Sequence, residues 1–249
     1  HVIKMGADLR RYVKNEKNLL SAAGTYTLGK AWTQADPLRA DAFSGNEAAT
    51  LLLGYPTAGG LDINIHPAYT NFYYALYFQD DWKVTRRLTL NLGLRWDYEA
   101  PIVERHNRMN RGFAFDQPSP IAEQARRSPN AANCPACANL RGGVLFAGTS
   151  GRDRLAFDPD RNNFQPRIGF AFAIRGKTVM RGGYGASVYG QSERGSTAGF
   201  SRRTPLIPSL DGGLTPGVSL SNPFPGGILQ PVGSSQGLAT DLGLGIGFN

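Results

Sequence analysis

The stretch 88–98 limits the possible folds of this chain more than any other. Its even positions read Leu88, Leu90, Leu92, Leu94, Trp96 and Tyr98, and its odd positions read Thr89, Asn91, Gly93, Arg95 and Asp97. Period-two alternation puts each class on its own face of an extended strand, and a helix cannot do this. The preceding run does the same less cleanly. Phe72, Tyr74, Leu76, Phe78 and Trp82 share one parity, and Tyr73, Ala75, Tyr77, Gln79 and Asp81 share the other. The short polar link Lys83-Val84-Thr85-Arg86-Arg87 between them predicts an antiparallel hairpin.

A soluble sheet also alternates, so the solvent is decided by three details. Each run has about the 9–11 residues that a tilted strand needs to cross a bilayer. Trp82, Trp96 and Tyr98 fall at strand ends, where aromatic girdles meet headgroups. The polar face carries the full charges of Asp81, Arg95 and Asp97, which a dry core rejects and a watery lumen accepts.

The string Tyr77-Phe78-Gln79-Asp80-Asp81-Trp82-Lys83-Val84-Thr85, followed by Leu88-Thr89-Leu90-Asn91-Leu92-Gly93-Leu94-Arg95, resembles the TonB-dependent outer-membrane receptor barrel, and within it the Oar-like branch. The likeness recurs at His1-Val2-Ile3-Lys4-Met5-Gly6, at Asn163-Phe164-Gln165-Pro166-Arg167-Ile168-Gly169-Phe170-Ala171 and at Lys177-Thr178-Val179-Met180-Arg181-Gly182-Gly183-Tyr184-Gly185, in the family's order. The resemblance implies energy-coupled passage of a bulky solute of unknown identity across the outer membrane. It also implies contact with outer-membrane lipid, a plug domain, and a TonB-type inner-membrane energy-coupling protein as partner. Neither the plug nor a signal peptide is found in these residues. The end, Gly243 to Asn249, stops without a closing strand, so both ends are expected to be cut.

The expected fold is all-β, a partial antiparallel up-and-down transmembrane β-barrel with long extracellular loops and one short loop helix. Wall strands are expected near 1–13, 72–82, 88–98, 164–174 and 178–189, and long loops over 14–70, 99–163 and 190–249. The first strand alternates Ile3, Met5, Ala7 and Leu9 with Lys4, Gly6, Asp8 and Arg10, and the fourth alternates Phe164, Pro166, Ile168, Phe170 and Phe172 with Gln165, Arg167, Gly169 and Ala171. Connections therefore run long, short, long, short, long, which assigns Val84–Arg87 and Arg175–Lys177 to the periplasmic side. In the first loop, Ser44-Gly45-Asn46-Glu47 has capping-box spacing before Ala48–Leu53 and the stop Gly54, predicting the helix. Residues 22–32 read either as part of that loop or as a further wall strand. The 31 glycines and 16 prolines suit long irregular connections.

No set of residues spells an enzyme. Arg175-Gly176-Lys177-Thr178 ends like a phosphate loop, but Ala171 stands where its first glycine belongs and a strand follows. Asp158-Pro159-Asp160 begins like a calcium loop, but Asn163 and Gly169 occupy the places of its glycine and its last carboxylate. Cys134 and Cys137 lack further ligands for zinc, and the simplest state in an exported loop is a local disulfide. No metal or cofactor is expected. The formal charge of +8 is spread over singles and pairs rather than one stripe, so no nucleic acid is expected as partner.

The residues singled out are the charged ones of the polar face: Asp81, Arg95, Asp97, Arg167 and Arg181. They are either an ion-pair network bracing the wall or contacts for solute. The alternative to the barrel is a secreted or surface β-sheet binding module, for glycan or protein, with its apolar faces packed into a soluble core.

Overall fold

The computed structural model describes residues 1–189 and 195–238. In chain order its elements are β1 (Val2–Asn15), β2 (Thr25–Thr27), α1 (Glu47–Leu53), β3 (Ala58–Ile63), β4 (Ala68–Lys83), β5 (Leu88–Glu99), β6 (Val103–Glu104), β7 (Asn110–Phe113), α2 (Ala122–Arg127), β8 (Val144–Phe146), β9 (Asn163–Arg175), β10 (Thr178–Gly185) and β11 (Arg202–Pro205). They fall into two compact units.

The first unit comprises His1–Glu16, Pro67–Ala114 and Val144–Ser196. Its main sheet runs β1-β4-β5-β9-β10, every neighbour antiparallel, with β6 added beside the start of β4. Chain neighbours pair through the short connections, while the long excursions separate β1 from β4 and β5 from β9. The register keeps each residue class on one face. Tyr77 lies opposite both Gly6 and Arg95, and Phe78 lies opposite both Met5 and Leu94. Two glycines make room for rings: a Cβ on Gly6 would meet the Tyr77 ring at 2.6 Å, and one on Gly182 would meet the Phe170 ring at 2.8 Å.

Burial on this sheet is the reverse of a soluble protein's. On the polar face Ala75 is 1% exposed and Gln165 4%, while on the apolar face Leu76 is 55% and Ile168 56% exposed. Among the described residues no second layer of this unit covers Ile3, Met5, Leu9, Phe78, Leu94 or Phe164, all exposed. Burying such side chains would yield about 1.5–3 kcal/mol each, so the face is stable only against a non-aqueous solvent.

Aromatics mark both ends of this face. Tyr74 and Tyr98 stack at 5.9 Å, with Phe72 and Trp96 each 6.2 Å further along. At the other end Trp82 lies opposite Leu90 and stacks on His1 at 5.2 Å. The nine residues from Leu90 to Tyr98 span about 27 Å of strand, or about 21 Å upright at a 40° tilt, close to the ~25 Å apolar band of outer-membrane barrels.

Beyond the aromatic end, β7 and β8 pair antiparallel, and Tyr69, Ile102, Met109 and Ala147 form a small buried cluster. Glu104 organises this region. Its side chain is wholly buried, and its carboxylate accepts from the Ala68 amide (3.1 Å), the His106 amide (2.7 Å), the Arg108 amide (2.9 Å) and the Arg108 guanidinium (3.1 Å). Burial alone would raise its pKa. The Arg108 and Ala68 amides, with the guanidinium and the His106 amide, outweigh that and hold it below the usual carboxylate range.

The second unit comprises Lys17–His66, Phe115–Gly143 and Thr197–Asn249. Within it, β3 pairs with β2 on one side and β11 on the other. The stretch 22–32 is therefore no wall strand: Thr25–Thr27 belongs to this small sheet. Helix α1 forms where expected, but its cap is Asn46, whose side chain accepts from the Ala48 and Ala49 amides; Ser44 instead donates to Asp41. Gly54 closes it in the left-handed region at φ 72°. Among the described residues a second α-helix, α2, forms within the second long loop. Cys134 and Cys137 are joined in a disulfide. Asp211 accepts from Ser209 Oγ (2.6 Å) and from the Leu214 and Thr215 amides (3.0 Å each), which hold its carboxyl well below the usual range. The last wall strand stops at Gly185 rather than 189. The expected missing closing strand, at Gly243 to Asn249, lies outside the described residues.

Candidate functional site on the polar face

All five charged residues singled out from the sequence stand on the polar face, but they divide into two groups. Asp81 accepts from Lys4 Nζ on β1 (2.9 Å), from Asn91 Nδ2 on β5 (2.6 Å) and from Gln79 Nε2 on its own strand (3.1 Å). Arg95 donates through Nε to Asp97 (2.7 Å) and through Nη2 to the Tyr73 hydroxyl on β4 (2.9 Å). Gln165 on β9 donates to the other Asp97 oxygen (2.8 Å). Two short ladders thus clamp four of the sheet's strands, and Asp81, Arg95 and Asp97 are their hubs.

Arg167 and Arg181 take no part. Both are exposed, and among the described residues neither has an ionic partner. Arg167 faces Gly93 on one side and Gly185 on the other, and Arg181 faces Ala171. The polar face of β9 and β10 is floored by Gly169, Ala171, Gly183 and Gly185, whereas that of β1, β4 and β5 carries the long side chains of Lys4, Arg10, Tyr73, Tyr77, Gln79 and Arg95.

At the loop end of the same face lies a cavity of about 680 Å³. Arg10, Tyr12 and Lys14 line it from β1, Tyr69, Asn71 and Tyr73 from β4, and Asp97 and Glu99 from β5. Its charges are largely matched. Arg10 is paired with Asp8, packs over the Tyr73 ring at 5.3 Å and reaches the Tyr12 hydroxyl at 3.5 Å. Asn71 donates to Glu99 at 3.4 Å. Such a chamber offers hydroxyls, amides and aromatic faces to a water-soluble solute.

Sequence reasoning did not single out Lys4, Arg10, Tyr73 and Gln165. Alternation places all four on this face, but only the register brings Gln165 to Arg95 and Lys4 to Asp81. Glu104 carried no signal at all, because three of its four donors are backbone amides. Among the described residues no group of three or more His, Cys, Asp or Glu could hold a metal, and no helix is long and apolar enough to cross a membrane.

No curated protein and no solved structure matches the chain. A family model does, over residues 1–247: the outer membrane beta barrel domain. The chain with the exposed hydrocarbon face and the clamped polar one belongs to that family, and its place is the outer membrane.

Proposed function

We propose that this chain forms part of the wall of an energy-coupled outer-membrane transporter of the TonB-dependent, Oar-like type. The chamber of about 680 Å³ on the polar face carries the reading, because a wall needing only to be braced has no use for a lined recess. The motif strings around Tyr77–Arg95, Asn163–Ala171 and Lys177–Gly185 add the family branch. The polar face then borders the lumen, and the charged ladders keep it rigid as solute passes. The turns at Val84–Arg87 and Gly176–Lys177 face the periplasm and the chamber faces outward, since short turns lie inside and long loops outside. The role is passage, not catalysis: the carboxylates of the chamber are engaged by Arg95, Gln165 and Asn71. The inner-membrane energy-coupling protein is the partner this reading requires.

The test is uptake of a panel of labelled oligosaccharides and peptides by cells expressing the gene, with and without the coupling protein. At least one label should enter only when that protein and a proton gradient are present. Entry that persists without both, together with steady ionic conductance in planar bilayers, would identify a passive pore and overturn the proposal.

A further inference from the structure

The apolar face does not end in hydrocarbon at its loop end. Beyond the leucines lies the strip of Phe72, Tyr74, Tyr98 and Trp96, and at each end of that strip stands an arginine. Arg11, on β1 opposite Phe72, holds its guanidinium 5.9 Å from the Phe72 ring centre. Arg161, just before β9, holds its guanidinium 5.6 Å from the Tyr98 ring centre, and its carbonyl accepts from Trp96 Nε1 at 2.7 Å. Both arginines are exposed, and among the described residues neither meets a carboxylate. Arg10, next to Arg11 in the chain, does.

We infer that Arg11 and Arg161, spanned by the stacked ring strip, form a binding site for the phosphate-bearing headgroup of an anionic membrane lipid. The inference rests on the barrel reading, because it takes this face as the lipid-facing one. Three observations carry it. The strip continues the hydrocarbon face without a break, so whatever solvates Leu76 and Leu94 brings its headgroups to this level. Each guanidinium rests over an aromatic ring, which reduces the freedom lost on binding, and both are exposed to a phosphate. The cations also lack an internal counter-charge at the one depth where an anion is abundant. A cation near a bilayer surface attracts anionic lipid by about 1 kcal/mol, so two should enrich such lipid several-fold to about 30-fold over its bulk share.

The experiment inserts the full chain into phosphatidylcholine vesicles containing a minor share of phosphatidylglycerol. Tryptophan quenching is compared when the bromines are on the phosphatidylglycerol chains and when they are on the phosphatidylcholine chains. Wild type should show several-fold preferential quenching by the brominated anionic lipid. The double substitution Arg11→Gln with Arg161→Gln should bring quenching to the bulk ratio, and Arg11→Lys with Arg161→Lys should keep most of the preference. Bulk-ratio quenching in the wild type overturns the headgroup site while leaving the barrel intact. So does a preference that survives the glutamine substitutions, or one abolished by millimolar glycerophosphate, which would mark a site for free phosphate. Absence of quenching by either lipid would show no insertion, and both readings would fall.

Discussion

Replacing Glu104 tests whether one buried carboxylate holds the loop end of the sheet. In Glu104→Gln the side chain keeps its shape, but one end becomes a donor facing donors. Whichever end that is, two of the four bonds are lost, because Oε1 serves the Ala68 amide and the Arg108 guanidinium, and Oε2 serves the His106 and Arg108 amides. Bonds to a charged group contribute about 1.5–3 kcal/mol each, so the change should cost about 3–6 kcal/mol of local stability. The assay is amide hydrogen exchange in the vesicle-inserted chain, since local opening of this region sets those rates. Protection factors at Ala68, His106 and Arg108 should fall at least about 100-fold, by the relation of about tenfold per 1.4 kcal/mol. The pH dependence has a definite sign. The folded pKa lies below the unfolded value of about 4.3, so the contribution is whole above that value and is lost as pH falls through the folded pKa. Wild-type protection factors, corrected for intrinsic exchange, should hold from neutral pH to about 5 and then drop, while the glutamine variant stays flat. Protection unchanged in Glu104→Gln, or rising in the wild type on acidification, would refute the assignment.

Two further outcomes follow from the sheet. Leu94→Arg places a charge mid-strand on the exposed apolar face and should cost about 2–4 kcal/mol, read as a lower urea midpoint of refolding into vesicles. A midpoint within error of wild type would mean that this face does not meet acyl chains. Asp97→Asn deprives Arg95 of its ion pair and should cost about 1–2 kcal/mol, whereas Arg181→Gln, on a side chain without an ionic partner among the described residues, should stay within about 0.5 kcal/mol. The reverse order, followed by tryptophan fluorescence in urea, would overturn the division of the polar face into clamped and open halves.

The wall was legible because its grammar is local. Strict alternation in 88–98 fixes both faces of β5, and the runs on either side repeat it, so hydrocarbon and charge fall where the structure has them. The disulfide partners, Cys134 and Cys137, were equally legible as the sequence's two cysteines at close spacing. The excursions were not legible, because β2, β3 and β11 are three to six residues long, and β11 pairs with β3 across more than a hundred positions. Alternation cannot register in a three-residue strand such as Thr25–Thr27, and Arg202–Pro205 finds β3 only by tertiary contact. Within the site, parity gave the face but not the partner. Nothing in the spacing of Asp97 and Gln165 announces that β9 lies beside β5, or that Arg167, two residues on, is left over.

The inverted burial also changes which substitutions the wall can absorb. In a water-soluble protein a leucine trimmed to valine leaves a void that rigid neighbours cannot refill, and the void adds to the cost. Against Leu90 or Phe172 the neighbours are fluid chains that flow into whatever shape is offered. That side therefore asks only for oiliness, and isoleucine, valine or methionine should serve almost equally. The demand for fit moves to the wet side, where Gly6 must stay small for Tyr77 and Asp97 must meet both Arg95 and Gln165. In this chain the jigsaw is cut in polar pieces, and drift among its greasy residues should be nearly silent.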